Sequence, residues 1–217
     1  YGYDETRKSV LESIRKLKTN YIDLVLLHQP FSDYYGAWRA LEDLYAEGVI
    51  KAIGVSNFYP DRLVDICSFA RIKPMVNQVE THPFNQQIEA HEWMKKYGVQ
   101  HEAWAPFGEG RGGLFTNETI AKIAEKYNKS VAQVILRWEL QRGIVVIPKS
   151  VHVERMEQNF NVFDFELSVD DMTVMATLDK KQSLFFSHTD PHMVEWFVKM
   201  VEERKKNNDH KKEKKNW

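Results

Sequence analysis

Cysteine is nearly missing from this chain. Cys67 is the only one, so no internal disulfide can brace the fold, and a reducing cytoplasm is the expected setting. On its amphipathic stretch it reads as a small buried apolar residue. Net charge is just as scarce: 30 Lys and Arg against 31 Asp and Glu leave -1 at pH 7. That balance supplies no field to attract nucleic acid or a membrane surface, which leaves small molecules as the expected partners of a monomer. Apolar runs of membrane-spanning length are absent, no signal peptide opens the chain, and no metal is expected. The chain opens on Tyr1 rather than Met, which implies a segment upstream.

What is present is a core-forming composition, 43% hydrophobic over 217 residues, enough for one domain over 1–200. Asp4 is a candidate cap for a helix whose Val10, Leu11, Ile14 and Leu17 share a face. Apolar runs at 21–27, 49–55, 74–79, 99–104 and 144–147 read as strands. Between them, 37–47, 61–70, 86–97 and two stretches within 116–142 read as helices, with Ser130 placed to cap the last. Helices at 152–159 and 169–178 end the pattern. Strands separated by helices imply an α/β fold with a parallel sheet. The strand count alone fits either an open flavodoxin-like sheet or part of an eight-stranded barrel. Residues 201–217 are dominated by Lys, Glu, Asn and Asp and read as a disordered tail or a frayed helix extension.

Each strand ends in polar or aromatic side chains: His28, Ser56 and Asn57, Gln78, Trp104, then Lys149 and Ser150. Ligands of parallel sheets sit at the carboxyl ends of strands, so these five tips suggest one assembled site. Taken singly each has a structural explanation, such as a turn for Ser56-Asn57 or a satisfied buried amide for Gln78. Gly108 to Gly113 satisfies G-x-G-x-x-G, but a helix pair follows it and the next strand tip is Lys149 rather than an acid. A flexible loop folding over a ligand fits better. Pro148-Lys149-Ser150 before a helix, with Arg155 and Asn159 in it, combines free helix-start N–H groups, a point charge and a guanidinium fork, a combination suited to a phosphate monoester.

The chain resembles the aldo-keto reductases through YIDLVLLHQP (21–30), IKAIGVSNF (50–58), MVNQVETHP (75–83), EAWAP (102–106) and IPKS with Arg155 and Asn159. It is most similar to the small reductases of dicarbonyls, keto sugars and prostaglandin-type substrates. The resemblance implies a (β/α)8 TIM barrel, here incomplete and covering about strands 4 to 8, that binds NADPH and reduces aldehydes and ketones. It implies His28 as the catalytic residue orienting the carbonyl, Ser56, Asn57 and Gln78 on the nicotinamide carboxamide, and Trp104 stacked on the ring. It further implies cofactor contacts from Ala105, Phe107 and Val151, a grip by Lys149, Ser150 and Arg155 on the 2′-phosphate, and Asn159 near adenine. Gln29 and Phe31 are candidate substrate contacts, and Phe185 and Phe186 candidate pocket walls. Ala105 stands where a serine is common, which removes one side-chain hydrogen bond to the pyrophosphate. The family's proton-donating tyrosine, with its lysine and aspartate, falls before the position of Tyr1, on the order of 90 residues of barrel. The 217-residue chain is therefore expected to be inactive by itself.

Overall fold

A computed structural model describes residues 2–213, with side chains as far as residue 204. Helix and strand alternate: α1 (Tyr3–Leu17), β1 (Ile22–Leu27), α2 (Tyr34–Ala46), β2 (Ile50–Ser56), α3 (Pro60–Phe69), β3 (Val76–Glu80), α4 (Ile88–Tyr97) and β4 (Gln100–Trp104). Helices α5 (Glu118–Tyr127) and α6 (Val131–Gln141) precede β5 (Val145–Val146), and α7 (Val153–Phe160), α8 (Val169–Ala176) and α9 (Pro191–Glu213) follow it. The strands lie in chain order, β1-β2-β3-β4-β5, and every neighbouring pair is parallel. A flavodoxin-like sheet reverses its strand order at a switch point. Among the described residues there is no such reversal, which removes the open doubly wound alternative.

Period-two alternation sorts the strand residues onto two faces. Leu27, Ile53, Val55 and Val79 pack in one buried cluster with Trp38 and Leu41 of α2, Leu63 and Ile66 of α3 and Met94 of α4. Their neighbours Leu24, Leu26, Ala52 and Val76 point the other way and are only half-buried. Gly54 on that second face is required by close approach, since a Cβ there would lie 2.7 Å from both a Leu26 methyl and the Val76 carbonyl oxygen. A second cluster joins Ile120 and Ile123 of α5, Val134 and Trp138 of α6 and Met175 of α8.

Side-chain capping explains four helix starts, those of α2, α5, α6 and α8. Ser130 accepts from the N–H of Gln133 while the Gln133 side chain reaches back, the reciprocal box expected for α6. Ser168 and Asp171 do the same for α8. Asp33 accepts from Gly36 N at 2.8 Å and starts α2 three residues earlier than its apolar pattern suggests. Three expectations need correction. Asp4 does not cap α1; Gly2 occupies that position and Asp4 lies in the first turn, where its charge still favours the positive helix end. Of the expected apolar face, Leu11 and Leu17 are exposed, because α1 meets α2 through Tyr3 to Asp43 and Arg7 to Glu47 rather than through a full apolar stripe. Strand β5 has two residues instead of four, since Pro148 has no N–H to extend the ladder.

Contacts divide the chain into two compact units, one up to Leu184 and one from Phe185 onward. The first holds the sheet and α1 to α8. The second holds α9, where Phe186 packs on His188 and Phe197 with ring centroids 4.6 and 5.6 Å apart. The first half of α9, with Val194, Phe197 and Val198, was not expected from the sequence, whereas its charged second half agrees with the helix-extension reading of the tail. Of the charged tail, residues 214–217 lie outside the described residues. No helix among the described residues is long and apolar enough to cross a membrane.

Candidate cofactor and active site

The strand register brings four of the five tips side by side. Leu27 pairs with Val55, which sets His28 beside Ser56; Ser56 pairs with Gln78, Gln78 with Glu102, and Glu80 with Trp104. Asn57 ties three tips together. Its Nδ2 donates to the His28 carbonyl at 3.1 Å and to Ser56 Oγ at 3.2 Å, and its Oδ1 accepts from the Trp104 indole at 2.8 Å. It does so from a left-handed backbone, φ 61°, a conformation that asparagine tolerates better than most residues. Ser56 Oγ in turn donates to the Gln78 carbonyl at 2.9 Å. Asn57 is buried, so each of these bonds forms where water competes little.

This network uses both N–H donors of Asn57 and the hydroxyl proton of Ser56 within the protein. Of the trio expected on a carboxamide, Gln78 is different. Its side-chain amide donates through Nε2 to Glu102 Oε1, and that is the one side-chain bond it makes among the described residues. Its oxygen remains an acceptor. His28 is exposed at the tip of β1, while Gln29 and Phe31 just beyond it are half-buried.

Past Trp104 the chain turns through Ala105, whose φ of 51° is left-handed for a residue with a side chain. It then enters the glycine-rich loop, where Gly108 and Gly112 have positive φ and lie against Leu184; a Cβ at either would come within 3.0 Å of its methyls. A single cavity of about 960 Å³ opens here. Ala105, Phe107, Lys149, Ser150, Val151, Arg155 and Asn159 all line it, so every expected contact of the far half of a dinucleotide shares one wall. Lys149 and Arg155 are solvent-exposed. Helix α7 begins after His152 with no side-chain cap. Ser150 does not cap it, because Ser150 Oγ accepts from His152 N at 3.1 Å, before the first helical residue. The first-turn N–H groups of α7 are thereby left to other acceptors.

The sequence reading missed several residues. Phe115, Ser130 and Gln158 also line the cavity; two of them sit in helix starts or turns whose approach only the fold sets. Glu102, an acid within β4 two residues before Trp104, was the one visible signal. Glu80 is fully buried at the end of β3 and accepts from His82, from Ser183 Oγ and from Leu184 N at 2.9 Å. Burial acts to raise its pKa, but His82, Ser183 and the Leu184 N–H together bring the carboxyl below its ordinary value. This anchor holds Leu184 against the two loop glycines.

A family model described as the aldo/keto reductase family matches residues 1–180. The chain is 50% identical over 182 residues to the glyoxal reductase of Bacillus subtilis, covering 83% of this chain and 65% of that protein. It thus spans a little under two thirds of that relative. Among solved structures it is similar to MGS-M4, an aldo-keto reductase from a deep-sea metagenome, at 43% identity and a TM-score of 0.84, covering 87% of this chain and 71% of that one. A Bombyx mori aldo-keto reductase in complex with NADP gives 31% identity and a TM-score of 0.81, covering 85% of this chain and 66% of that one. With a family model spanning residues 1–180 of 217, the chain belongs to the aldo/keto reductase family.

Proposed function

We propose that this chain forms the cofactor-binding arc of an NADPH-dependent reductase of small aldehydes and ketones, with dicarbonyls such as glyoxal and methylglyoxal as the substrate class. The relative named glyoxal reductase supports that class. The five parallel strands in chain order, helices on one face and a half-buried opposite face, support an eight-stranded barrel as the complete fold. The observation that carries the reading is the shared cavity. Lys149 and Arg155 line it beside the uncapped start of α7, a setting for a phosphate monoester, and its volume of about 960 Å³ suits an extended ligand. At the strand tips the free oxygen of Gln78 and the indole of Trp104, held by Asn57, suit a carboxamide-bearing ring.

When bound, NADPH supplies the hydride. The chain's residues would orient the two reactants: Trp104 sets the ring plane, Gln78 its rotation, and His28 donates a hydrogen bond to the carbonyl oxygen and draws charge onto it. Lys149 and Arg155 would favour the phosphorylated cofactor, since NADH offers them no monoester. Gln29 and Phe31 would border the substrate. No tyrosine of this sequence stands in the family's proton-donor motif, so the 217-residue chain should bind without turning over.

Calorimetric titration tests the reading. The chain should take up NADPH at least tenfold more tightly than NADH, and Arg155→Ala should remove most of that difference. Equal affinity for the two, or uptake of neither, would overturn it. Turnover of methylglyoxal by the pure chain would overturn the inactivity alone.

A further inference from the structure

We propose that Glu102 is a positioning residue that reads the nicotinamide carboxamide through Gln78; this rests on the cofactor reading above. The two side chains lie on the same face of neighbouring strands, because Gln78 pairs with Glu102 in the β3–β4 register. Trp104, two residues further along β4, shares that face. The opposite face carries His101, which points to α4 and meets His91. Glu102 is therefore turned toward the side of the sheet on which the tips converge, and it is only 9% exposed there.

A glutamine amide can turn over and present either its oxygen or its NH2, and the bonds around it decide which. Ser56 and Asn57 do not decide it, since both bond the backbone carbonyl of Gln78. Glu102 does. A carboxylate only accepts, so the Gln78 NH2 must face Glu102 Oε1 and the Gln78 oxygen must face away. That oxygen can then accept from the carboxamide NH2, and a ring turned over to offer its carbonyl would meet oxygen against oxygen. The pair thus selects one rotation of the carboxamide, and with it one face of the ring.

The test compares NADP⁺ with its 3-acetylpyridine analogue, which keeps the carbonyl but has a methyl in place of the NH2. By calorimetry the unaltered chain should bind NADP⁺ about tenfold more tightly than the analogue. In Glu102→Leu that ratio should fall to within about twofold, with 2′,5′-ADP affinity unchanged, showing that the cavity is intact. A ratio kept at its original value, or equal weakening of both dinucleotides, overturns the proposal. Should Glu102→Leu fail to bind 2′,5′-ADP, the isosteric Glu102→Gln decides: its amide can offer either atom to Gln78, so the ratio must drop at least twofold, and an unchanged ratio overturns the proposal. Failure of the unaltered chain to bind either dinucleotide would reject the cofactor reading itself, whereas binding with no preference between them rejects only the role of Glu102.

Discussion

Strands β1 to β4 and the segment from β5 through α7 carry the two ends of one proposed ligand, yet they are held very differently. Behind β1 to β4 stand three helices and a continuous core in which Trp38, Leu41, Ile53, Val55, Leu63, Ile66 and Met94 are at most 1% exposed. In α7 no residue is buried, and Val145, Ile147, Val151, Val153, Met156 and Phe160 around it are all exposed. The proposed ring end is already held by a core behind it and by Asn57 and Glu102 within it. The proposed phosphate end would rely on charge and on free N–H groups, which need little packing to work but must be ordered when a ligand binds.

Packing gives the sharpest contrast. Trp38→Ala removes a fully buried indole that also donates to the Ile72 carbonyl at 3.0 Å, and should lower unfolding stability by about 3–5 kcal/mol in urea melts. Met156→Ala in α7 should change it by less than about 0.5 kcal/mol. Equal losses would erase the distinction between the two regions. Next comes Asn57→Ala, which leaves the Trp104 indole N–H and the His28 carbonyl without their partner. A loss of about 2–3 kcal/mol is expected, together with a change in Trp104 fluorescence. A loss below about 0.5 kcal/mol would mean that the tips are not tied through this residue.

The same contrast explains what could be read in the sequence. Strands β1 to β4 were legible because burial on the helix side gives apolar runs ending in polar tips, and Ser130 marked the start of α6 as capping chemistry requires. The candidate site was proposed from the order in which Asn57, Gln78, Trp104 and Arg155 stand in the sequence, and the structure places the first three at adjoining strand tips and Arg155 on the cavity. What was not legible depends on distant approach: that Asn57 bonds both His28 and Trp104, that Glu102 faces Gln78, and that Glu80 anchors Ser183 and Leu184 across 103 and 104 residues. The weak elements failed for lack of packing. Strand β5 is short where Pro148 interrupts the ladder, and α1 shows Leu11 and Leu17 to solvent because polar pairs set its contacts.

Hydrogen exchange refines the comparison. Adding NADP⁺ should slow amide exchange across 147–160 several-fold, since ordering of α7 is coupled to binding, and change residues 50–56 little, since β2 is already paired on both edges. A uniform effect on both segments would show the phosphate end to be as rigid as the ring end.

The last prediction concerns pH and the well-packed region alone. His101 is 2% exposed; its Nε2 lies 2.8 Å from Thr81 Oγ1 and its Nδ1 3.0 Å from His91 Nδ1. Thr81 donates to the Val79 carbonyl, so one consistent proton order has His91 donating to His101 and His101 donating to Thr81, with both rings neutral. Burial, then the neighbouring His91 and Arg142, pushes the His101 pKa down to about 3 from its ordinary 6.5. Between those values the unfolded chain binds the extra proton and the folded one does not, so stability rises with pH through that window. The stabilisation from neutral His101 is complete above about 6.5 and declines as pH falls toward 3. His101→Gln, which can still donate to Thr81, should flatten the melting temperature between pH 6.5 and 4 while leaving the exchange rates of α7 unchanged. An undiminished slope in that variant would place the acid sensitivity elsewhere in the fold.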